Sequence, residues 1–459
     1  MTDSFDLVVL GAGSGGYACA LRAAQLGLSV ALVEKGRVGG TCLHVGCIPT
    51  KALLHAAEVA DAARDSAQFG VTATLEGIDM GGVNKYKDAV VSRLYKGLTG
   101  LVRSRGITVV EGEGRLTGTR TVAVNGRELA GRTIVLATGS YPKTLPGLEV
   151  DGRRVLTSEH ALTLDHVPRS VVVLGGGVIG CEFASVWRSF GADVTVLEAL
   201  PRLLAGEDED SSRQLQRAFA RRGITCRVST AFESLRDTGA GVEVTVAGGE
   251  RLEAEMLLVA VGRGPVTSGL GYDEQGVALD ERGFVVADDR LRTSVEGVYA
   301  VGDIVPGLQL AHRGFAQGIF VAEEVAGLAP TPVDEATVPR VTYCEPEVAS
   351  VGLTEADARA TYGEDRVRAL TYDLAGNGRS QILRTQGFVK LVRVEGGPVV
   401  GVHVLGARAG ELIGEAQLVT GWQAHPEDVA PLVHAHPTQH EALGEAHLAL
   451  AGKPLHAHS

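Results

Sequence analysis

Long apolar runs, an excess of basic residues and a dense cysteine framework are all missing from this chain of 459 residues. No stretch approaches the roughly 20 consecutive apolar residues of a membrane-spanning helix, so no membrane association is expected. Lysine and arginine number 43 against 55 aspartates and glutamates, a formal charge of −12. That balance argues against non-specific binding to nucleic acid or to an anionic membrane, and suits a protein that docks a basic partner. Six cysteines scattered over this length make no disulfide scaffold, and in a reducing compartment a stable pair is catalytic rather than structural. The opening Met1-Thr2-Asp3-Ser4-Phe5-Asp6 shows no basic region, apolar core or cleavage site of a leader, so the expected location is cytoplasmic.

Glycine, by contrast, is abundant, with 61 residues where average usage is about 7%. Tight turns and close backbone approaches are therefore expected, in a chain too long for one ordinary core. Residues 6–34 read as strand, glycine-rich turn, helix, strand. Gly11, Gly13 and Gly16 allow the turn and the approach of a pyrophosphate to the helix N-terminus, and Glu34 ends the second strand where a ribose would lie. The unit recurs at 170–198 with Gly175, Gly177, Gly180 and Glu198. Two such sites suggest two different dinucleotides. Glu198 favours a free ribose 2′-hydroxyl, hence NAD over NADP, although Arg202 stands four residues on.

Three further strands end near glycine: 133–139 with Thr138-Gly139, 256–262 with Gly262, and 297–303 with Gly302-Asp303. Any of them alone is an ordinary buried strand. Asp303, at a strand's carboxyl end, either accepts a hydrogen bond from a ligand's polyol chain or caps a helix. Beyond Thr331-Pro332-Val333-Asp334 the character changes to alternating strands at 387–393 and 398–405, then helices, which reads as a separate α+β unit. Near its end stands His434-Ala435-His436-Pro437-Thr438-Gln439-His440-Glu441. The spacing lacks a zinc pattern, and Pro437 works against a helix that would align His436 with His440, so metal is not expected.

The segment Gly39-Gly40-Thr41-Cys42-Leu43-His44-Val45-Gly46-Cys47-Ile48-Pro49-Thr50-Lys51 follows the first unit directly. Residues five apart on a regular helix have Cα atoms about 8.6 Å apart, whereas a disulfide needs about 4.4–6.8 Å. If Cys42 and Cys47 bond, the segment must bend, and Gly46 with Pro49 supplies a permissive residue and a helix disruptor. The alternative is two reduced core thiols. Cys19, Cys181, Cys226 and Cys344 read as small buried hydrophobes.

Taken together, the cysteine segment, both fingerprints, Gly302-Asp303, and His436-Pro437-Thr438 with Glu441 resemble the flavin-dependent pyridine nucleotide-disulfide oxidoreductases along nearly the whole chain. Within that family the cysteine segment is most similar to the branch that oxidises dihydrolipoyl groups, with His44 in place of its usual Asn and Thr50 in place of Ser. The resemblance implies an α/β protein with two Rossmann-like domains and a C-terminal α+β interface domain. FAD binding would occupy 1–145, NAD binding 146–264, a central domain completing the FAD site 265–335, and the dimer interface 336–459. It implies Cys42 as the interchange thiol, Cys47 as the thiol beside the flavin, and His436 oriented by Glu441 as acid–base. Lys51 would lie near the flavin, paired with Glu182 beside the nicotinamide; either could instead belong to a surface ion pair. Thr138, Gly139, Ser140, Gly262, Asp303 and Ala311 join the two fingerprints as implied cofactor contacts.

A homodimer with a shared active site is implied, with lipoyl domains of an acyltransferase or of a glycine cleavage carrier protein as partners. The nearest rival is an NADPH-dependent reductase of mycothione or glutathione disulfide, which Glu198 opposes. A mercuric reductase would bring a further C-terminal cysteine pair, which is missing. From another class, the chain could be a flavin-bearing scaffold subunit; retention of both cysteines, Lys51 and the His–Glu element speaks against that.

Overall fold

The computed structural model describes residues 3–456. The first glycine-rich unit folds into strand Asp3–Leu10, helix Ser14–Gln25 and strand Val30–Glu34, the strands parallel. On the far side of Asp3–Leu10 lies Arg127–Leu136, also parallel, and the sheet runs on through Thr121–Val124 and Gly114–Gly118. The late strand Val298–Ala300 pairs with the end of Arg127–Leu136, so residues far apart in sequence complete one seven-stranded sheet. Parallel strands covered on both faces need continuous apolar runs. Leu7–Leu10 and Leu32–Val33 are buried accordingly.

The second unit builds a five-stranded, all-parallel sheet in the order Ile224–Arg227, Asp193–Leu197, Ser170–Leu174, Met256–Val259, Val155–Leu156. A three-stranded antiparallel sheet hangs beside it. The short strands Ser140–Pro142 and Arg263–Pro265 pair antiparallel and link the two halves.

The C-terminal region forms an antiparallel sheet in the order Arg340–Thr342, Glu347–Gly352, Val399–Gly406, Phe388–Val394, Val367–Asp373. Its two central strands begin one residue later than their alternation suggests. Helices Ala409–Gly421 and Glu441–Leu450 cover one apolar core with it. No described helix is long and apolar enough to cross a membrane.

Candidate active site

Both glycine-rich turns show the same steric logic. Gly11 and Gly175 have φ of 102° and 112°, and a Cβ on either would fall 2.3 and 2.4 Å from the carbonyls of Ala137 and Ala260. Gly16 and Gly180 pack so tightly that a Cβ would sit 1.9 Å from the carbonyls of Gly11 and Gly175. The middle glycines differ: a Cβ on Gly13 or Gly177 would meet nothing within 4 Å. That open space above a helix N-terminus is where a pyrophosphate fits.

The two acidic residues match as closely. Glu34 accepts from the backbone N–H groups of Ala12 and Gly36, each at 2.7 Å. Glu198 accepts from those of Gly176 and Leu200 at 2.7 and 2.8 Å. Each side chain is thus held against its turn by two backbone N–H groups. Arg202 points away, donating to the Ala205 carbonyl at 2.7 Å.

Directly on the first turn sits the cysteine segment. Gly40 lies so close that a Cβ would be 2.7 Å from Gly13 Cα. Helix Gly40–His44 then stops and helix Cys47–Asp65 starts, with Val45 and Gly46 as the break. A Cβ on Gly46 would come within 2.9 Å of the Thr41 carbonyl, so glycine makes the bend possible. Pro49 is not the disruptor its sequence position suggests. It is the third residue of the new helix, where its missing N–H has no intrahelical partner to lose.

Cys42 and Cys47 stand as free thiols joined by a side-chain hydrogen bond. That bond pushes the Cys42 thiol up, with burial adding to the effect. Cys47 moves the other way, down to about 7: the bond from Cys42 outweighs burial, and the Lys51 charge helps. Ser14, at the start of the first helix, also bonds Cys42 and partly offsets its rise. The Tyr17 phenol is pushed up to about 12 by burial first and then by the two sulfurs. Of the remaining cysteines, Cys19, Cys181 and Cys344 are buried, whereas Cys226 is only half-buried.

His44 turns away from the sulfurs. Its Nε2 lies 3.0 Å from the Val38 carbonyl and its ring meets Tyr95 edge-on at 5.1 Å. It therefore ties the short helix to the loop before it and to helix Met80–Ser104.

One turn past Cys47, Lys51 Nζ reaches both oxygens of Glu182 at 2.8 Å. This is no surface pair, since the Glu182 side chain is 3% exposed and that of Lys51 33%. Burial works against the lysine's charge, but Glu182 and Cys47 more than compensate and hold its pKa above the ordinary value. Glu182 also accepts from the N–H of Tyr343 at 3.0 Å, and Lys51 Nζ lies 4.9 Å from the centre of the Tyr343 ring.

The strand ends converge on a second polar group. Asp303 accepts from Ser140 Oγ at 2.5 Å, and Arg263, next to Gly262, donates to the same Oγ at 2.7 Å. Asp303 does not cap a helix: it lies within the short turn Gly302–Ile304 and its carboxylate is turned to Ser140. Thr138 bonds the Val266 carbonyl at 2.6 Å, and Gly139 takes a φ of 77°. Ala311 opens helix Ala311–Val325, which rests on the first helix where a Cβ on Gly318 would sit 2.2 Å from the Gly15 carbonyl.

The histidine element forms as a unit of its own. His436 Nδ1 lies 2.7 Å from Glu441 Oε1, and Glu441 Oε2 accepts from the Thr438 N–H at 2.7 Å. Burial opposes the Glu441 charge, yet the bonds from Thr438 and His436 hold its carboxyl below the usual range. His434 and His440 share Glu415, at 2.8 and 3.4 Å. The groups acting on the two thiols include each other, Lys51, Glu182, Ser14, Tyr17 and Arg263. Among the described residues His436 bonds Glu441 and neither sulfur, and its ring is 77% exposed. Within one chain the structure thus unites the cysteines with Lys51 and Glu182 but leaves His436 and Glu441 apart from them. Sequence reasoning missed Ser14, Tyr17, Arg263 and Tyr343. Ser14 and Tyr17 were legible from their place in the first turn and helix; Tyr343 had no local signal.

The pattern of the pyridine nucleotide-disulphide oxidoreductases matches residues 5–318, and that of their dimerisation domain matches 338–447. Among curated proteins, the chain is 40% identical to a mitochondrial dihydrolipoyl dehydrogenase of Pisum sativum, covering 99% of this chain and 93% of that one. It is 42% identical to dihydrolipoyl dehydrogenase 3 of Pseudomonas aeruginosa, covering 99% and 100%. Among solved structures, LpdA from Mycobacterium tuberculosis superposes with a TM-score of 0.90 at 28% identity, covering 98% of this chain and 100% of that one.

Proposed function

The chain belongs to the pyridine nucleotide-disulphide oxidoreductases, and from that membership we propose its reaction: FAD-dependent oxidation of dihydrolipoyl groups to lipoyl disulfide, with NAD as the final acceptor. Full-length relatives named for this activity support it. The observation on this chain that carries it is the pair of contacting thiols with opposed shifts, Cys42 up and Cys47 down, beside a half-buried Lys51. FAD is assigned to the first turn with Gly11, Gly13, Gly16, Glu34, Thr138, Gly139, Ser140, Asp303 and Ala311, drawing on 1–145 and 265–335. NAD is assigned to 146–264, with Gly175, Gly177, Gly180, Glu198 and Gly262. Bound FAD would take an electron pair from the reduced cysteines and pass it as hydride to NAD.

The chain's own part is sulfur and proton chemistry. His436, held by Glu441 through Nδ1, has Nε2 free to take a proton from one dihydrolipoyl thiol, because the thiolate is the attacking species. That thiolate attacks Cys42 Sγ of the oxidised pair, and the Cys42–Cys47 bond breaks with Cys47 leaving as thiolate. The low Cys47 pKa makes it the better leaving group. The second substrate thiol then attacks the mixed disulfide, releasing lipoyl disulfide and leaving two reduced cysteines. Lys51 offsets the charge on Cys47, and Glu182 keeps the lysine in place.

His436 stands apart from the thiols of its own chain, so we assign each site the cysteines of one subunit and the histidine of the other. The dimerisation domain supports a homodimer. Lipoyl-bearing proteins follow as partners, whether the acyltransferase of a 2-oxoacid dehydrogenase complex or a glycine cleavage carrier. We place the lipoyl arm in a groove of about 380 Å³ that opens beside Tyr17, which feels both sulfurs, and is lined by apolar Leu21, Phe315 and Ile319 together with Arg22 and Gln25. Ile319→Arg is expected to raise the KM for dihydrolipoamide about tenfold, the scale of one lost apolar contact, with FAD content intact; an unchanged KM places the arm elsewhere.

A substrate panel decides the whole reading. NAD-linked lipoamide turnover should far exceed NADPH-linked turnover of oxidised glutathione or mycothione. Equal or reversed rates would sink the assignment.

A further inference from the structure

Two helices supply the Lys51–Glu182 pair, and a third element reaches it from the C-terminal sheet. The turn between strands Arg340–Thr342 and Glu347–Gly352 carries Tyr343, which touches both members at once: its N–H donates to Glu182 and its ring lies by the Lys51 ammonium. The turn is registered against helix Val178–Phe190 at a second point. The Glu345 N–H donates to Ser185 Oγ at 2.9 Å, and Arg222 bridges Ser185 Oγ and the Glu345 carbonyl at 2.7 and 2.9 Å. Glu182 and Ser185 are one helical turn apart, so the two contacts fix the turn in register. Helix Ala409–Gly421 backs the ring closely: a Cβ on Gly410 would lie 3.1 Å from Tyr343 Cε1.

A lysine ammonium on a four-carbon stem is mobile, and Glu182 alone leaves it free to pivot about the carboxylate. An aromatic face attracts the cation and restricts that pivot. We propose that Tyr343 is a positioning residue of the redox centre, whose ring holds the Lys51 ammonium at the distance from Cys47 that keeps this sulfur a thiolate. The inference rests on the roles given above to Lys51 and Cys47. It brings the C-terminal domain of the same chain into the redox centre, separately from any contribution of a partner subunit. The charged groups facing Tyr343 are Lys51, Glu182, Glu347 and Glu411. Those facing Cys47 are Cys42, Lys51, Glu182, Tyr17 and Arg263.

Three variants of the holoenzyme test this. Tyr343→Phe keeps ring and N–H; Tyr343→Leu keeps the N–H alone; Tyr343→Met repeats the loss of the ring with an unbranched chain, in case Leu binds FAD poorly. The readout is the pH midpoint of the long-wavelength thiolate–flavin absorption after two-electron reduction, taken without substrate. It is thereby independent of whether dihydrolipoamide is the substrate. Phe should match the parent. Leu and Met should move the midpoint to higher pH and lower kcat about three- to tenfold, the scale of a lost cation–π contact, with the KM for dihydrolipoamide unchanged. A midpoint unmoved in both ring-less variants overturns the proposal, as does a Phe variant as impaired as Leu.

Discussion

Cys47→Ser is expected to abolish turnover, by at least about four orders of magnitude, the scale on which removing a covalent group acts. A serine oxygen can neither close a disulfide with Cys42 nor leave as a stabilised anion at neutral pH. The same variant should lose the long-wavelength absorption that follows partial reduction, because no thiolate remains beside Lys51. FAD should stay bound, since the turn proposed to cradle it is built from Gly11, Gly13 and Gly16 and does not include this sulfur. In the parent protein the absorption should fade as pH drops through about 7, where Cys47 takes up a proton. A visible spectrum of each protein across pH checks both statements, and absorption that survives in the serine variant would reverse the roles given to the two cysteines.

His436→Gln should cost about 10²–10⁴ in turnover, the range of a positioned acid–base group, while leaving flavin content unchanged. Glutamine can keep a hydrogen bond to Glu441 but cannot exchange a proton near neutral pH. The shared site adds a sharper outcome. When the Cys47→Ser and His436→Gln proteins are dissociated and reassociated together, mixed dimers should regain one intact site, because one chain supplies both cysteines and the other the histidine. Activity in the mixture far above that of either parent is the expected result; a mixture no more active than its parents would place histidine and cysteines in the same chain.

How far these assignments were legible depends on whether the cause was local. The glycines at 11, 16, 175 and 180 could be read directly, since each answers to a carbonyl in its own turn or in a strand whose carboxyl end meets it. Glu34 and Glu198 were legible by position, though not their bonding to two backbone N–H groups apiece. The break between Cys42 and Cys47 followed from geometry, but its place did not: Gly46 bends the chain and Pro49 sits quietly in the next helix. The Lys51–Glu182 contact joins residues 131 positions apart, and resemblance alone had left a surface pair open. His44 could not be understood from its neighbours because its partners, Val38 and Tyr95, come from a loop and a distant helix. Tyr343 gave no signal at all, being one aromatic in a strand-and-turn segment whose role exists only once three elements meet.

The order in which the chain is made bears on the first sheet. Strand Val298–Ala300 pairs with Arg127–Leu136, yet a ribosome reaches it about 160 residues later, on the order of ten seconds or more at ordinary synthesis rates. The second sheet, closed by Met256–Val259, has all its strands before then. The nascent protein would therefore finish its second nucleotide fold while the first still waits with an open edge, and flavin capture would be a late event of its biogenesis.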